Sequence, residues 1–182
     1  MNREGTSAAS RDVPTGASSG NITVRKAEAR DWAAIWPTIS LVTRAGDTFT
    51  YPTDLPENDA RSLWMAGGGR TIVATDETSR VLGTAKMGAN QMGPGSHVAT
   101  ASFMVAPSAR GLGVGRSLGN AVVAWAKASG FRAIQFNAVV STNLVAIGLW
   151  RSLGFEIVGT VPEAFAHPIL GDVSLHIMHR SL

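Results

Sequence analysis

The chain has no cysteine, which excludes a disulfide framework, a thiolate zinc site and a thiol nucleophile. Tyrosine is almost as scarce, with Tyr51 the only one in 182 residues. No apolar run approaches the ~20 residues that span a bilayer as a helix, so no membrane partner is expected. Acid is missing from one long stretch: between Thr78 and Phe155 there is no Asp or Glu, while Arg80, Lys86, Arg110, Arg116, Lys127, Arg132 and Arg151 all fall there. That excludes a carboxylate base from the segment and suits a polyanionic ligand. The net charge of +3 is too small to mark a nucleic-acid binder, even with a sequence pI near 10.0, because such binders carry a dense basic face. His97, His167, His176 and His179 have no metal-ligand spacing, and no metal is expected.

What is present describes one ordinary globular domain. The hydrophobic fraction is 45% and the charged fraction 16%, and this length buries a sizeable core unaided. Residues 1–20 are rich in Ser, Gly and Ala and lack the apolar centre of a signal peptide. They are expected to be a disordered leader ahead of a domain over residues 21–182, in a cytoplasmic protein.

Periodicity predicts a strand at Ile22–Arg25, then a helix over Trp32–Thr43 capped by Asp31, with Ile35, Ile39 and Val42 on one face. A loop over Arg44–Pro56 leads to a second helix at Glu57–Met65. Strands are expected at Thr71–Thr75, Val81–Met87 and Val98–Val105, the last two separated by the Gly/Pro stretch Asn90–Ser96. A helix over Gly115–Ser129, a strand over Ala133–Val140, a helix over Asn143–Leu153 and strands at Glu156–Val161 and Val173–Met178 complete the chain. This order implies an α/β (α+β) domain, a mixed and mostly antiparallel sheet with helices on both faces.

The most informative stretch runs from Phe103 to Arg116. An apolar strand is stopped by Pro107, and Gly111, Gly113 and Gly115 precede an apolar-striped helix. Glycines let successive N–H groups converge on one point, and the helix that follows aims its free N–H groups and positive dipole end there. Together they make a pyrophosphate cradle, with Arg110 and Arg116 flanking it. A dinucleotide fingerprint is the poorer fit. After Gly113-Val114-Gly115 the third glycine, Gly119, comes one residue late, and Ala133–Val140 holds Asn137 but no ribose-binding acid. A Walker loop would need Gly-Lys-Ser/Thr.

Arg110, Gly113 and Gly115 resemble the Arg/Gln-x-x-Gly-x-Gly/Ala signature of the GCN5-related N-acetyltransferases. Asn143, Ala146, Leu149 and Leu153-Gly154-Phe155 are similar to that family's second motif. The resemblance implies a GNAT-like domain whose strands Val98–Val105 and Ala133–Val140 splay apart around acetyl-CoA. It implies that Met104 and Val105 pair with the pantetheine arm, that Gly111 and the amides of Leu112, Gly113, Val114, Gly115 and Arg116 hold the pyrophosphate, and that Asn143 bonds the pantetheine or cysteamine end. It also implies a small-molecule amine as acceptor, with a protein N-terminus or lysine as the alternative, and a homodimer, since dimers are common in the family. A non-catalytic acyl-CoA sensor is the reading from outside enzymology.

The Val105 N–H is the candidate oxyanion contact. Trp150 falls beside the cofactor, where the family carries the tyrosine that protonates the thiol, and an indole N–H cannot act as that acid. A thiol of pKa near ~8.5 can leave unaided, or Tyr51 can substitute. For the general base the candidates are His97, a water held by Thr100 or Ser102, and Asp47 or Asp54. Asn137, inside an apolar run, must find a partner or cost about 1–3 kcal/mol. It makes either a structural hydrogen bond or a contact that positions an amine, a carboxylate or a catalytic water. The run Met92–His97, with Asn137 six residues before Asn143, is similar to the fungal azetidine-2-carboxylate acetyltransferases, although Thr100 stands where that branch has an asparagine. Arg44 is the candidate partner for a substrate carboxylate.

Overall fold

The computed structural model describes residues 21–66 and 69–182; the expected leader over residues 1–20 lies outside them. Seven strands form one sheet: β1 (Thr23–Lys26), β2 (Arg70–Thr75), β3 (Val81–Ala89), β4 (Val98–Val105), β5 (Ala133–Val140), β6 (Glu156–His167) and β7 (Gly171–Ser181). Their spatial order is β1-β2-β3-β4-β5-β7-β6. Four α-helices accompany them: α1 (Trp32–Ala45), α2 (Glu57–Arg61), α3 (Val114–Ala128) and α4 (Leu144–Ser152). Every neighbouring pair is antiparallel except β4 and β5. That parallel pair follows from connectivity, since α3 carries the chain back to the starting edge before β5 begins.

The sheet is covered on both faces, as the alternation of its strands requires. α3 and α4 bury Leu118, Val122, Ile147 and Trp150 against Ile134 and Phe136. α1 and the segment after α2 bury Ile35, Ile39 and Trp64 against Val73 and Met104. Each such side chain contributes about 1.5–3 kcal/mol of transfer free energy when fully buried. The buried polar atoms among them are paired. Trp64 Nε1 donates to Thr84 Oγ1 at 3.0 Å, and Thr84 Oγ1 donates in turn to the Ile72 carbonyl at 2.9 Å.

Three local expectations are corrected. Asp31 does not cap α1 with its side chain. It closes a 3₁₀ turn at Ala29–Asp31 by accepting from the Glu28 N–H at 2.7 Å and pairs with Arg25 at 2.7 and 2.8 Å. The second helix is α only to Arg61 and continues as a wider π turn over Ser62–Ala66. The final hairpin is longer than its apolar runs suggested, because Pro162 does not end β6. The pairing skips between Val161 and Phe165, a bulge with Glu163 at φ 52°, and the strand then resumes.

Candidate active site

β4 and β5 are hydrogen-bonded neighbours only at Val98–Ala133 and Ala99–Ile134, and beyond that they part. β4 stays paired with β3 without interruption from Ala99 to Val105, which fixes where its main-chain groups point. The Ala106 N–H donates to the Leu82 carbonyl, and the Val98 carbonyl accepts from the Asn90 N–H. Even-numbered β4 residues therefore face β3, and the main-chain groups of Ala101, Phe103 and Val105 face the gap. The result is an unpaired sheet edge along one wall of a cleft of about 800 Å³. Met104, expected to pair with a ligand there, turns its amide toward β3 and buries its side chain on the opposite core. Phe103 takes its place beside Val105.

The glycine turn sits at the open end of this edge. Gly111 and Gly113 have φ of 79° and 85°, the left-handed region that favours glycine. The N–H groups of Gly111, Gly113, Val114, Gly115 and Arg116 have no protein acceptor among the described residues. The Leu112 N–H, expected in the cradle, leans instead on the Ala109 carbonyl at 3.4 Å. Gly115 packs closely on α4: a Cβ there would stand 3.0 Å from Leu149 Cδ2. Arg110 is exposed and lines the cleft. Arg116 also lines it, but one guanidinium nitrogen is committed to Ser152 Oγ at 3.0 Å.

On the facing wall, Asn143 caps α4: its Oδ1 accepts from the Ala146 N–H at 3.1 Å. Its Nδ2 and one Oδ1 lone pair remain for a ligand. Trp150 lines the cleft from within an aromatic cluster, its ring centroid 4.6 Å from Phe103 and 4.9 Å from Phe136.

The other face of the cleft is polar and is built from distant parts of the chain. Thr100 and Ser102 of β4, Asn137 of β5, and Asp47 and Tyr51 of the α1–α2 loop line it together. Burial raises the Tyr51 phenol above its ordinary value, with a hydrogen bond to Ser102 opposing the rise. Lys86 of β3 stands beside Ser102 in register, and burial holds its ammonium below the usual lysine value. Asn137 is exposed rather than enclosed in apolar surroundings, and its amide pairs with Gln135 at 2.8 Å and Asn90 at 2.6 Å. Arg44 is exposed at the end of α1 and does not line the cleft. Asp54 and His97 are likewise outside it. Glu57, the first residue of α2, accepts from Trp32 Nε1 at 2.8 Å. Asn90, Gln135 and Phe103 carried no local signal of a site. Asn90 reads as an ordinary residue of a Gly/Pro turn.

A model of the acetyltransferase (GNAT) family matches residues 30–155. The structure of a GCN5-related N-acetyltransferase from Kribbella flavida superimposes with a TM-score of 0.86 at 55% identity, covering 88% of this chain and 98% of that one. The N-acetyltransferase aca1 of Schizosaccharomyces pombe is 37% identical over 89 residues, 49% of this chain and 43% of that protein. An L-methionine sulfoximine/L-methionine sulfone acetyltransferase of Pseudomonas aeruginosa is 36% identical over 114 residues, 62% of this chain and 66% of that protein. The alignments thus span less than two thirds of these two relatives' own lengths.

Proposed function

The chain belongs to the acetyltransferase (GNAT) family, and from that premise we propose that it moves an acetyl group from acetyl-CoA to the amine of a small, amino-acid-like molecule. The observation that carries this reading is the row of uncommitted N–H groups at Gly111 and Gly113–Arg116, set at the end of an unpaired strand edge. Those amides and the positive end of α3 hold a diphosphate, and the edge formed by Phe103 and Val105 takes the amides of an extended pantetheine arm as another strand would be taken.

The chemistry follows from which groups the cleft offers. A neutral amine attacks the thioester carbonyl carbon, and the Val105 N–H faces the gap where the oxyanion develops. The C–S bond then breaks. A thiolate with a pKa near ~8.5 leaves without much help, and the Tyr51 phenol, kept protonated by burial, is the proton donor nearest in chemistry to that need. The Trp150 indole supplies a wall and no proton. Asp47 is the one carboxylate lining the cleft among the described residues, so it takes the ammonium proton, directly or through water.

A small acceptor fits better than a basic peptide. A basic peptide would be met by a groove lined with acids, and of Asp47, Asp54, Glu57 and Asp59 only Asp47 lines the cleft. Lys86 adds a positive charge beside Ser102. A panel of amino acids, simple amines and lysine peptides, assayed by thiol release from acetyl-CoA, tests the reading. Turnover should concentrate on amines that also carry a carboxylate. Tight coenzyme A binding with no turnover on any amine would make the protein a sensor, and a preference for peptides would make it a protein acetyltransferase.

A further inference from the structure

Asn137 lies where β5 loosens. The pairing of β5 with β7 skips from Phe136 to Val139, and the Asn137 side chain is exposed on the cleft. A free carboxamide there would turn about its last bond, since exchanging its oxygen and nitrogen barely changes its shape. Here it is held from both sides. Gln135 Nε2 donates to Asn137 Oδ1 at 2.8 Å, and Asn137 Nδ2 donates to Asn90 Oδ1 at 2.6 Å. Turning the Asn137 amide over by itself, with the Gln135 and Asn90 amides left in place, would set donor against donor and acceptor against acceptor. One N–H and one oxygen lone pair of that amide stay uncommitted, on the same cleft as Thr100 and Ser102.

Asn90 is itself well anchored. It follows β3 directly, and its main-chain N–H donates to the Val98 carbonyl at 2.8 Å. The turn beyond it is folded tightly, with the Ser96 N–H on the Gly93 carbonyl at 3.0 Å and His97 Nδ1 at 3.0 Å from the Pro94 carbonyl. Pairing between β4 and β5 has already ended at Ala99 and Ile134. The Asn90–Asn137 bond therefore joins the β3–β4 turn to β5, with β4 between them in the sheet, past the point where β4 and β5 stop pairing.

We propose that Asn90 is a positioning residue for the acceptor: it fixes the Asn137 amide so that its remaining N–H and lone pair meet the carboxylate or amine of the incoming molecule. This rests on the acyl-transfer reading above, in which that face of the cleft receives the acceptor.

The test compares Asn90→Leu, which removes the accepting oxygen at similar size, with Asn90→Asp, which keeps an oxygen there. For Asn90→Leu the acceptor KM should rise about tenfold, the loss of one oriented hydrogen bond, while the KM for acetyl-CoA and the coenzyme A-induced thermal shift stay unchanged. Asn90→Asp should return the acceptor KM to within about threefold of the wild type. Independently of turnover, the Asn137 side-chain NH₂ signals, assigned through Asn137→Ser, should be dispersed and exchange-protected in the wild type and in Asn90→Asp, and collapse in Asn90→Leu. The proposal is overturned if those signals are the same in all three proteins, if the acceptor KM of Asn90→Leu is unchanged, or if both variants lose acceptor and acetyl-CoA binding together. A wild-type protein that turns over no amine sinks the acyl-transfer reading instead. The amide signals, and the thermal shift caused by an amino acid of the assay panel in the presence of coenzyme A, then decide the positioning role alone.

Discussion

Gly119 of α3 meets Leu153, just past α4, with no space left for a methyl group, and Trp150 of α4 stands close beside it. A Cβ at Gly119 would lie 3.3 Å from Trp150 Cζ3 and 2.5 Å from Leu153 Cδ1. Because Trp150 also walls the cleft, the packing of these two helices and the shape of that cleft are one problem. Gly119→Ala should destabilise the fold by about 1–3 kcal/mol through overpacking and weaken coenzyme A binding as Trp150 is pushed toward Phe103. Urea denaturation and calorimetric titration check the two effects. Full stability with full affinity would mean that the helices separate freely.

Gly113→Glu places a carboxylate in the cradle itself. A Cβ at Gly113 would meet nothing within 4 Å, so the only cost to the fold is the positive φ of 85°, about 1–2 kcal/mol for a residue with a side chain. Coenzyme A affinity should be lost while the circular dichroism spectrum stays native. Unchanged affinity would remove the diphosphate from this turn.

Tyr51→Phe should lower kcat by about 10–100-fold if the phenol protonates the departing thiolate, toward the lower end of what general acids supply. Burial raises the phenol above its ordinary 10.0, so the donor stays protonated and wild-type kcat should not decline as pH approaches that value. A decline well below it, or a Phe variant as fast as the wild type, excludes the role.

Asp47→Asn should lower kcat/KM for the acceptor by about 100-fold through loss of the base, and leave acetyl-CoA binding intact. An acceptor rate within twofold of the wild type would return the base to a bound water.

The pair Arg25–Asp31 makes stability depend on acid. Arg25 hydrogen bonds and the Glu28 N–H hold the Asp31 carboxyl below its ordinary value, against the opposing cost of burial. A depressed carboxyl contributes stability above its unfolded pKa and loses it as pH falls through the folded one. Asp31→Asn should therefore cost about 1–3 kcal/mol at neutral pH, and the gap from the wild type should close in acid. Denaturation midpoints of both proteins between pH 7 and pH 2 measure it. A gap that is constant with pH would mean that the carboxylate's charge contributes nothing.

The cradle and the layout of the sheet were legible in the linear sequence because each depends on neighbours along the chain. Glycines at Gly111 and Gly113, a strand before them and an apolar-striped helix after them are local facts. They set the backbone angles and the helix N-terminus that a diphosphate needs. The β4 and β5 boundaries at Val98–Val105 and Ala133–Val140 were equally local, since a short apolar run between turn residues allows little else. The expected end of β6 at Val161 was too early because the residues after it, from Pro162, do not alternate like a strand, and only the partner strand shows that the ladder bulges and continues.

The acceptor face was decided by tertiary structure alone. Asn90 and Asn137 are 47 residues apart, and Tyr51 and Ser102 approach each other from different elements. Their meeting depends on strand register, on where β4 and β5 stop pairing, and on how the α1–α2 loop folds over the gap. Register also turns Val105 toward the cleft and Met104 away from it, a choice of alternate residues that periodicity along β4 leaves open until its partner is known. Sequence by itself determined the glycine turn and helix start at Gly111–Arg116, where we propose that an anionic cofactor arm is held. Which polar groups face the molecule brought to it is set by long-range pairing, because hydrogen bonds across a split sheet belong to no single segment.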